Sequence, residues 1–334
     1  MTTKQELDPV REKLLGLLGK PFGDGGRTLA PDEVNVPMIR HWVDALDDRN
    51  PIYLDEATAV SSGHSGIVAP PAMLQTWGMG RPTIAGIAER GGSASEIKGE
   101  NVITKLAAEG FTGTLATNSE FEFDRYLQPG DLLESEGVLE AISERKTTGL
   151  GRGYFVTWLT TYTDQHGEEV GRQRFRVYKF APGSAADNGG SRRKKSGRKD
   201  APPEPTGEIL PTFDLDVTST VIVAGAIASR DFMPVHHDQE FARAQGAPDI
   251  FMNILTTNGY VSRYVTDWAG PRARLRRIDI RLGGPCVPGS ILHFSGRMSS
   301  DEIVADERRV TVSLAAINDF GPHATGQVEL TLPA

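Results

Sequence analysis

A chain of 334 residues is too long for one ordinary hydrophobic core and fits two domains of roughly 150 residues each. With 38% hydrophobic and 24% charged residues it has the balance of a globular protein, and no apolar run approaches the roughly 20 residues that span a bilayer. A net charge of −8 argues against nucleic acid as a partner, and a single cysteine, Cys286, excludes an intrachain disulfide. The opening Met1-Thr-Thr-Lys-Gln-Glu-Leu-Asp8 lacks the apolar centre of a signal peptide, so a cytoplasmic location is expected. Zinc-type Cys/His spacing, a Walker loop and a GxGxxG after a strand are missing, so neither a metal nor a bound cofactor is expected.

In chain order, residues 1–20 predict a short amphipathic helix carrying Val10, Leu14, Leu15, Leu17 and Leu18. After a turn-rich piece (21–26), a second helix is expected over about Asn35–Leu46. It closes at Asp47-Asp48-Arg49-Asn50-Pro51, because the residue before a proline avoids the helical region. A third helical segment holds Met73, Leu74 and Trp77 and is stopped after about three turns by Gly78, Gly80 and Pro82. Residues 88–112 read as a long loop with one short helix. From 113 the pattern turns to period two, with Phe121 and Phe123 alternating with acidic residues. Strands are expected at 132–139, 154–163 and 172–180, an antiparallel meander behind one buried helix. Residues 183–207 carry almost nothing apolar and read as a flexible linker. Its basic cluster, Arg192 to Lys199, is a solvated tether rather than a phosphate contact.

The second half then repeats the first. Asp48-x-x-Pro51 recurs as Asp231-x-x-Pro234, and the Pro129-Gly130 turn as Pro288-Gly289. Strand alternation returns at Ile278, Ile280 and Leu282. Pro51 to Pro129 is 78 residues and Pro234 to Pro288 only 54, so the first copy holds about 24 extra residues, mostly within 88–112. Two diverged helix-plus-sheet units are joined head to tail. The expected division is 1–182, a linker at 183–207, and 208–334.

Asp231 and His236 stand five residues apart with Pro234 between them. One helix would turn them away from each other. A loop ending in proline at the first turn of a helix lets both converge on one water. The alternative makes Asp231 a helix cap and His236 an exposed helix residue. Asp249–Gly270 reads as a long buried helix, with Asn253 among Ile250, Ile254, Leu255, Val261 and Val265.

The order loop–Asp-x-x-Pro-x-His, buried helix, Pro-Gly turn and alternating strands resembles the hot-dog fold. More narrowly it resembles the MaoC-like (R)-specific enoyl-CoA hydratases, whose motif is Asp-x-Asn-Pro-x-His. The first copy, Asp48-Arg-Asn-Pro-Ile-Tyr53, has tyrosine at the histidine position; the second, Asp231-Phe-Met-Pro-Val-His236, keeps histidine but has Met233 for Asn. Residues 208–334, through Asp249-Ile-Phe-Met-Asn-Ile-Leu-Thr256 and Arg263-Tyr-Val-Thr-Asp-Trp-Ala-Gly-Pro271, are similar to the catalytic hot-dog subunits of actinobacterial steroid side-chain enoyl-CoA hydratases. Residues 1–182, with Gly66-Ile-Val-Ala-Pro-Pro71, are similar to their noncatalytic partner subunits.

The resemblance implies an α+β double hot-dog, two helix-wrapped antiparallel sheets in one chain. It implies water addition to a bulky, steroid-type enoyl-CoA, with Asp231 and His236 as the catalytic pair and backbone N–H groups at Asn253–Ile254 binding the thioester oxygen. Tyr53 is expected to be a packed or rim residue. The interrupted first-half helix leaves apolar volume that Met73, Leu74, Trp77 and Met79 could line. A 3-hydroxyacyl-thioester dehydratase and a noncatalytic acyl-CoA binding module stand as alternatives. An acyl-CoA thioester substrate (coenzyme A entering as part of it), a homodimer and contact with other side-chain degradation enzymes are the partners implied.

Overall fold

A computed structural model of the chain describes residues 8–21, 27–90, 101–184 and 207–333. The linker and its basic cluster lie almost wholly outside the described residues, as do residues 91–100 of the long first-half loop. The first half runs α1 (Pro9–Leu15), β1 (Thr28–Leu29), α2 (Val36–Ala45), a 3₁₀ turn at Pro51–Tyr53, α3 (Glu56–Ser61), and a 3₁₀ turn at Pro71–Met73 that leads into α4 (Leu74–Gly78). It continues with α5 (Val102–Ala108), β2 (Gly113–Phe123), β3 (Glu134–Ile142), β4 (Lys146–Thr148), β5 (Gly151–Thr163) and β6 (Glu169–Ala181). The second half runs β7 (Phe213–Asp216), α6 (Ser219–Ala228), a 3₁₀ turn at Pro234–His236, α7 (Gln239–Ala244), α8 (Ile254–Ala269), β8 (Arg274–Leu282), β9 (Ile291–Val304), β10 (Glu307–Asn318) and β11 (Gly321–Leu332).

The repeat is structural as well as sequential. Elements recur at a spacing of 183 residues, from Val36 to Ser219, Pro51 to Pro234 and Glu56 to Gln239. Side-chain caps open both members of each helix pair: Asn35 and Thr218, then Asp55 and Asp238. Just before the motif aspartates, Asp47 (φ 50°) and Arg230 (φ 60°) both adopt the left-handed conformation that non-glycine residues avoid. That turn lets Asp48 N–H reach Val43 O at 2.8 Å and Asp231 N–H reach Ala226 O at 2.9 Å. Beyond the central helices the spacing falls to 159, with Gly130 N–H on Val34 O and Gly289 N–H on Val217 O, both at 2.8 Å. The lost residues fall in the stretch that carries α5.

Among the described residues, eleven antiparallel strands form one continuous sheet, β1-β3-β5-β6-β2-β8-β11-β10-β9-β7, with β4 added on β5. The two expected sheets thus run on into each other where β2 pairs β8. Glu120 lies opposite Asp279, its own counterpart at the 159 spacing, which puts the pseudo-two-fold axis between them. Facing acids would repel. Arg277 answers both, 2.9 Å from Glu120 and 2.9 Å from Asp279, and also reaches Glu329 at 3.1 Å.

The sheet wraps α8, whose Thr257, Asn258, Val261 and Val265 are fully buried. The helix begins at Ile254 rather than at Asp249. Asp249–Asn253 is lead-in, and Asn253 is the N-cap rather than a residue inside the helix. The first-half counterpart stops at Gly78, shorter than the three turns expected. A side chain at Gly78 would press on Tyr162 at 3.1 Å.

Glycine sets how closely α6 approaches α8. A Cβ on Gly225 would sit 2.3 Å from Thr256 Oγ1 and 2.6 Å from its Cγ2. Gly225→Ala is therefore expected to destabilise by about 1–3 kcal/mol, measured by urea unfolding. Because α6 leads into Asp231, turnover should fall with it.

Candidate active site

The site grows from the end of α6. The helix stops at Ala228, Ser229 Oγ donates to Ala226 O (3.1 Å), and the left-handed Arg230 throws Asp231 inward. Pro234 opens a 3₁₀ turn, so His236 sits on that single turn and not on a new helix as the sequence predicts. Asp238 then caps α7 by accepting from Phe241 N at 3.0 Å.

These turns bring Asp231 Oδ2 to 3.3 Å from His236 Nε2, with the side chains only 14% and 6% exposed. His236 Nδ1 lies 2.7 Å from Phe251 O, and only an N–H can bond a carbonyl, so Nδ1 carries hydrogen. The ring is further fixed edge-on against Phe251. With Nδ1 committed, the contact between Nε2 and a carboxylate oxygen needs a proton between them.

The electrostatics agree. Burial pushes the Asp231 carboxyl up, but the charge and hydrogen bond of His236, the Asn253 amide and the Met233 N–H outweigh it and hold it below its usual range. Burial pulls the imidazole down, and the Asp231 charge, its hydrogen bond and the Phe251 carbonyl outweigh that and raise it. The two titrate as a unit holding one mobile proton.

Asn253, 3% exposed, donates through Nδ2 to Asp231 Oδ2 (3.0 Å) and to Ser229 Oγ (2.9 Å). Its Oδ1 accepts from Thr256 N at 2.8 Å. The expected backbone donors at Asn253–Ile254 therefore fall at the N-terminus of the 16-residue α8, where amide groups point outward with the positive end of the helix dipole. The sequence singles out Asn253 but puts it inside the helix rather than at its cap, and it carries no signal for Ser229 or the Phe251 carbonyl, whose roles depend on the left-handed turn and on the α8 lead-in.

The first-half counterpart holds no such pair. Tyr53 occupies the histidine position fully buried, and its hydroxyl has no hydrogen-bond partner among the described residues. Asp48 accepts from Asn50 N at 3.0 Å, and burial is the main reason its carboxyl is pushed up to about 6. Arg274 reaches across from β8 to Ser62 O, and Leu275 N–H bonds Tyr126 Oη at 2.8 Å, tying the second half over this position.

Met73, Leu74 and Trp77 are buried and Met79 is partly buried against the same core. Trp77 Nε1 and Thr76 Oγ1 lack partners among the described residues. Arg230 Nη2 donates to Gly80 O (3.4 Å), so the end of this stretch lies beside the turn that presents Asp231. Two further histidines are paired. His293 Nδ1 stands 2.8 Å from Asp214, and the buried His323 packs against α8 with Nε2 3.0 Å from Thr257 Oγ1. Among the described residues no helix is long and apolar enough to cross a membrane.

Comparison with known proteins supplies the family. Residues 25–173 match the FAS1-like dehydratase domain region and residues 202–319 the MaoC-like domain. A "Probable enoyl-CoA hydratase alpha subunit" from Thermomonospora curvata is 45% identical over 176 residues, 52% of this chain and 53% of that protein. The chain thus spans about half the length of that relative. The "3-oxo-4,17-pregnadiene-20-carboxyl-CoA hydratase beta subunit" of Mycobacterium tuberculosis is 44% identical over 126 residues, 38% of this chain and 95% of that protein. A solved structure titled "MaoC-like dehydratase" superposes with a TM-score of 0.70 at 20% identity, over 96% of this chain and 100% of that one, which establishes the shared fold. With nearly all of the beta-subunit relative covered, and the MaoC-like match spanning Asp231, His236 and Asn253, the chain belongs to the MaoC-like dehydratase and hydratase family as a double hot-dog.

Proposed function

We propose that the chain is an enoyl-CoA hydratase that adds water across the 2,3 double bond of a trans-2-enoyl-CoA bearing a large, apolar, steroid-like acyl group. The observation that carries this reading is the buried Asp231–His236 contact of 3.3 Å, held together by Asn253, the cap of α8. Water is a poor nucleophile and must lose a proton as its oxygen bonds C3, while C2 must gain one. The pair takes the first proton and supplies the second, so its own proton count is unchanged. The thioester oxygen gains charge as the enolate forms, and the Ile254 N–H at the start of α8, with its neighbour's, is suited to receive it. Coenzyme A enters as part of the substrate, and the acid–base step uses no other cofactor.

The first half supplies room. Its central helix ends at Gly78, whereas α8 runs on to Ala269, about two turns further at equivalent positions. Met73, Leu74, Trp77 and Met79, which pack against the core, would face the acyl rings there. The name of the beta-subunit relative supports a steroid acyl group. In this reading 1–182 is the noncatalytic unit, 183–207 the tether and 208–334 the catalytic unit of a cytoplasmic homodimer in contact with other side-chain degradation enzymes.

The FAS1-like dehydratase match favours a second reading, dehydration of a 3-hydroxyacyl thioester by the same pair. The test is loss of the enoyl-thioester ultraviolet band with a polycyclic enoyl-CoA and crotonyl-CoA side by side. The polycyclic substrate should have the higher kcat/KM. Crotonyl-CoA turned over at least as fast removes the wide pocket, and no turnover of any enoyl thioester leaves a noncatalytic binding module.

A further inference from the structure

We propose that Asn253 is a positioning residue whose side-chain amide, anchored to Ser229 and to the first turn of α8, locks the Asp231 carboxylate against His236. This builds on the hydratase reading. Each polar atom of the amide is committed. Nδ2 gives one hydrogen to Asp231 Oδ2 at 3.0 Å and the other to Ser229 Oγ at 2.9 Å, and Oδ1 takes the Thr256 N–H at 2.8 Å. Ser229 Oγ and Asp231 N–H both end on the Ala226 carbonyl, at 3.1 Å and 2.9 Å. The amide therefore bridges the last turn of α6 and the first of α8 through the carboxylate.

A carboxylate is nearly free to rotate about its last torsion. Here, among the described residues, Oδ1 is held only by Met233 N at 3.3 Å, while Oδ2 takes the Asn253 bond and is the oxygen that meets His236 Nε2. Deleting the amide donor would leave Oδ2 facing the imidazole alone.

The chain contains its own control. At the 183-residue spacing, Ser229, Asn253 and His236 stand where the first half has Leu46, Pro70 and Tyr53. None of those three side chains can donate a hydrogen bond to Asp48 except the tyrosine hydroxyl, which has no partner among the described residues. Asp48 is left with the backbone N–H of Asn50. The imidazole, the amide and the hydroxyl that anchors the amide are present together in one copy and missing together in the other. That is the pattern of one device.

Asn253→Asp separates positioning from capping, because aspartate caps a helix as well as asparagine does and nearly matches its shape. It keeps the acceptor for Thr256 N and replaces the donor facing Asp231 with a second carboxylate. Near neutral pH, kcat should fall about 10- to 100-fold with KM for the CoA thioester nearly unchanged. In acid, the two carboxylates share a proton and the donor is partly restored, so the optimum of kcat/KM moves to lower pH. A profile parallel to the parent's overturns the proposal. A second readout does not require turnover. In the full-length Asn253→Ser variant, which retains a cap, the NMR titration midpoint of His236 should move down as Asp231 loosens. An unmoved midpoint overturns the proposal whether or not any enoyl-CoA is hydrated, so failure of the hydratase reading stays distinguishable.

Discussion

Asp231→Asn and His236→Ala should each lower kcat on the proposed enoyl-CoA substrate by roughly 10²–10⁴-fold, the usual worth of a positioned acid–base group. KM should change little, since neither side chain binds the acyl group or the nucleotide. Stability should respond asymmetrically. Asp231→Asn leaves a neutral, hydrogen-bonded site beside an imidazole that can shed its proton. His236→Ala strands a carboxylate, 14% exposed in the parent, with only the Asn253 amide and the Met233 N–H beside it among the described residues, and losing one partner of a buried pair costs about 3–5 kcal/mol. The sign of the pH dependence follows from the shifts. Asp231 is lowered from 3.8, so its contribution is present above that value and lost as pH falls through its folded pKa. His236 is raised from 6.5, so its contribution is complete below that value and lost as pH rises through its folded pKa. The parent should be most stable relative to His236→Ala in the window between, measured by urea unfolding across pH.

Asp48→Asn should do the opposite and stabilise the protein. Its carboxyl is pushed from 3.8 up to about 6, first by burial, with Asp267 and Asp47 adding repulsion and Asn50 and Arg263 only partly offsetting them. A raised carboxyl opposes folding increasingly as pH climbs from its unfolded to its folded value. At 1.36 kcal/mol per unit this amounts to about 3 kcal/mol above pH 6 and vanishes below 3.8. Asparagine keeps the acceptor for Asn50 N–H without the charge. A gain in urea midpoint at pH 8 that disappears near pH 4 is the expected result. A loss at both would mean that the carboxylate is compensated. The same variant should leave turnover intact.

Much of this architecture was legible because local chemistry and tertiary position agree. The prolines at 51 and 234, the Pro-Gly turns and the alternating strand at Phe121–Phe123 all hold, and the internal repeat carries them into the second half. Other features were hidden for physical reasons. The α6 helix is apolar along most of its length, so it lacks the one-sided periodicity that marks α2. The edge strands β1 and β4 are two and three residues long and are defined only by their partners. The sequence places the start of α8 too early because Ile250 and Met252 are as buried as the helix itself, while the cap at Asn253 ends the lead-in. In the site, the Asp and His were readable from the motif. Ser229 and the Phe251 carbonyl were not, since a left-handed residue and a backbone oxygen leave no mark in side-chain pattern.

The central claim is that chemistry resides in one half and that its tyrosine-bearing counterpart performs none. Initial hydration rates of a polycyclic enoyl-CoA by the parent, Asp231→Asn and Asp48→Asn test it most directly. The account predicts near-complete loss in Asp231→Asn and parental kcat in Asp48→Asn; equal losses in both, or full activity in Asp231→Asn, would contradict it.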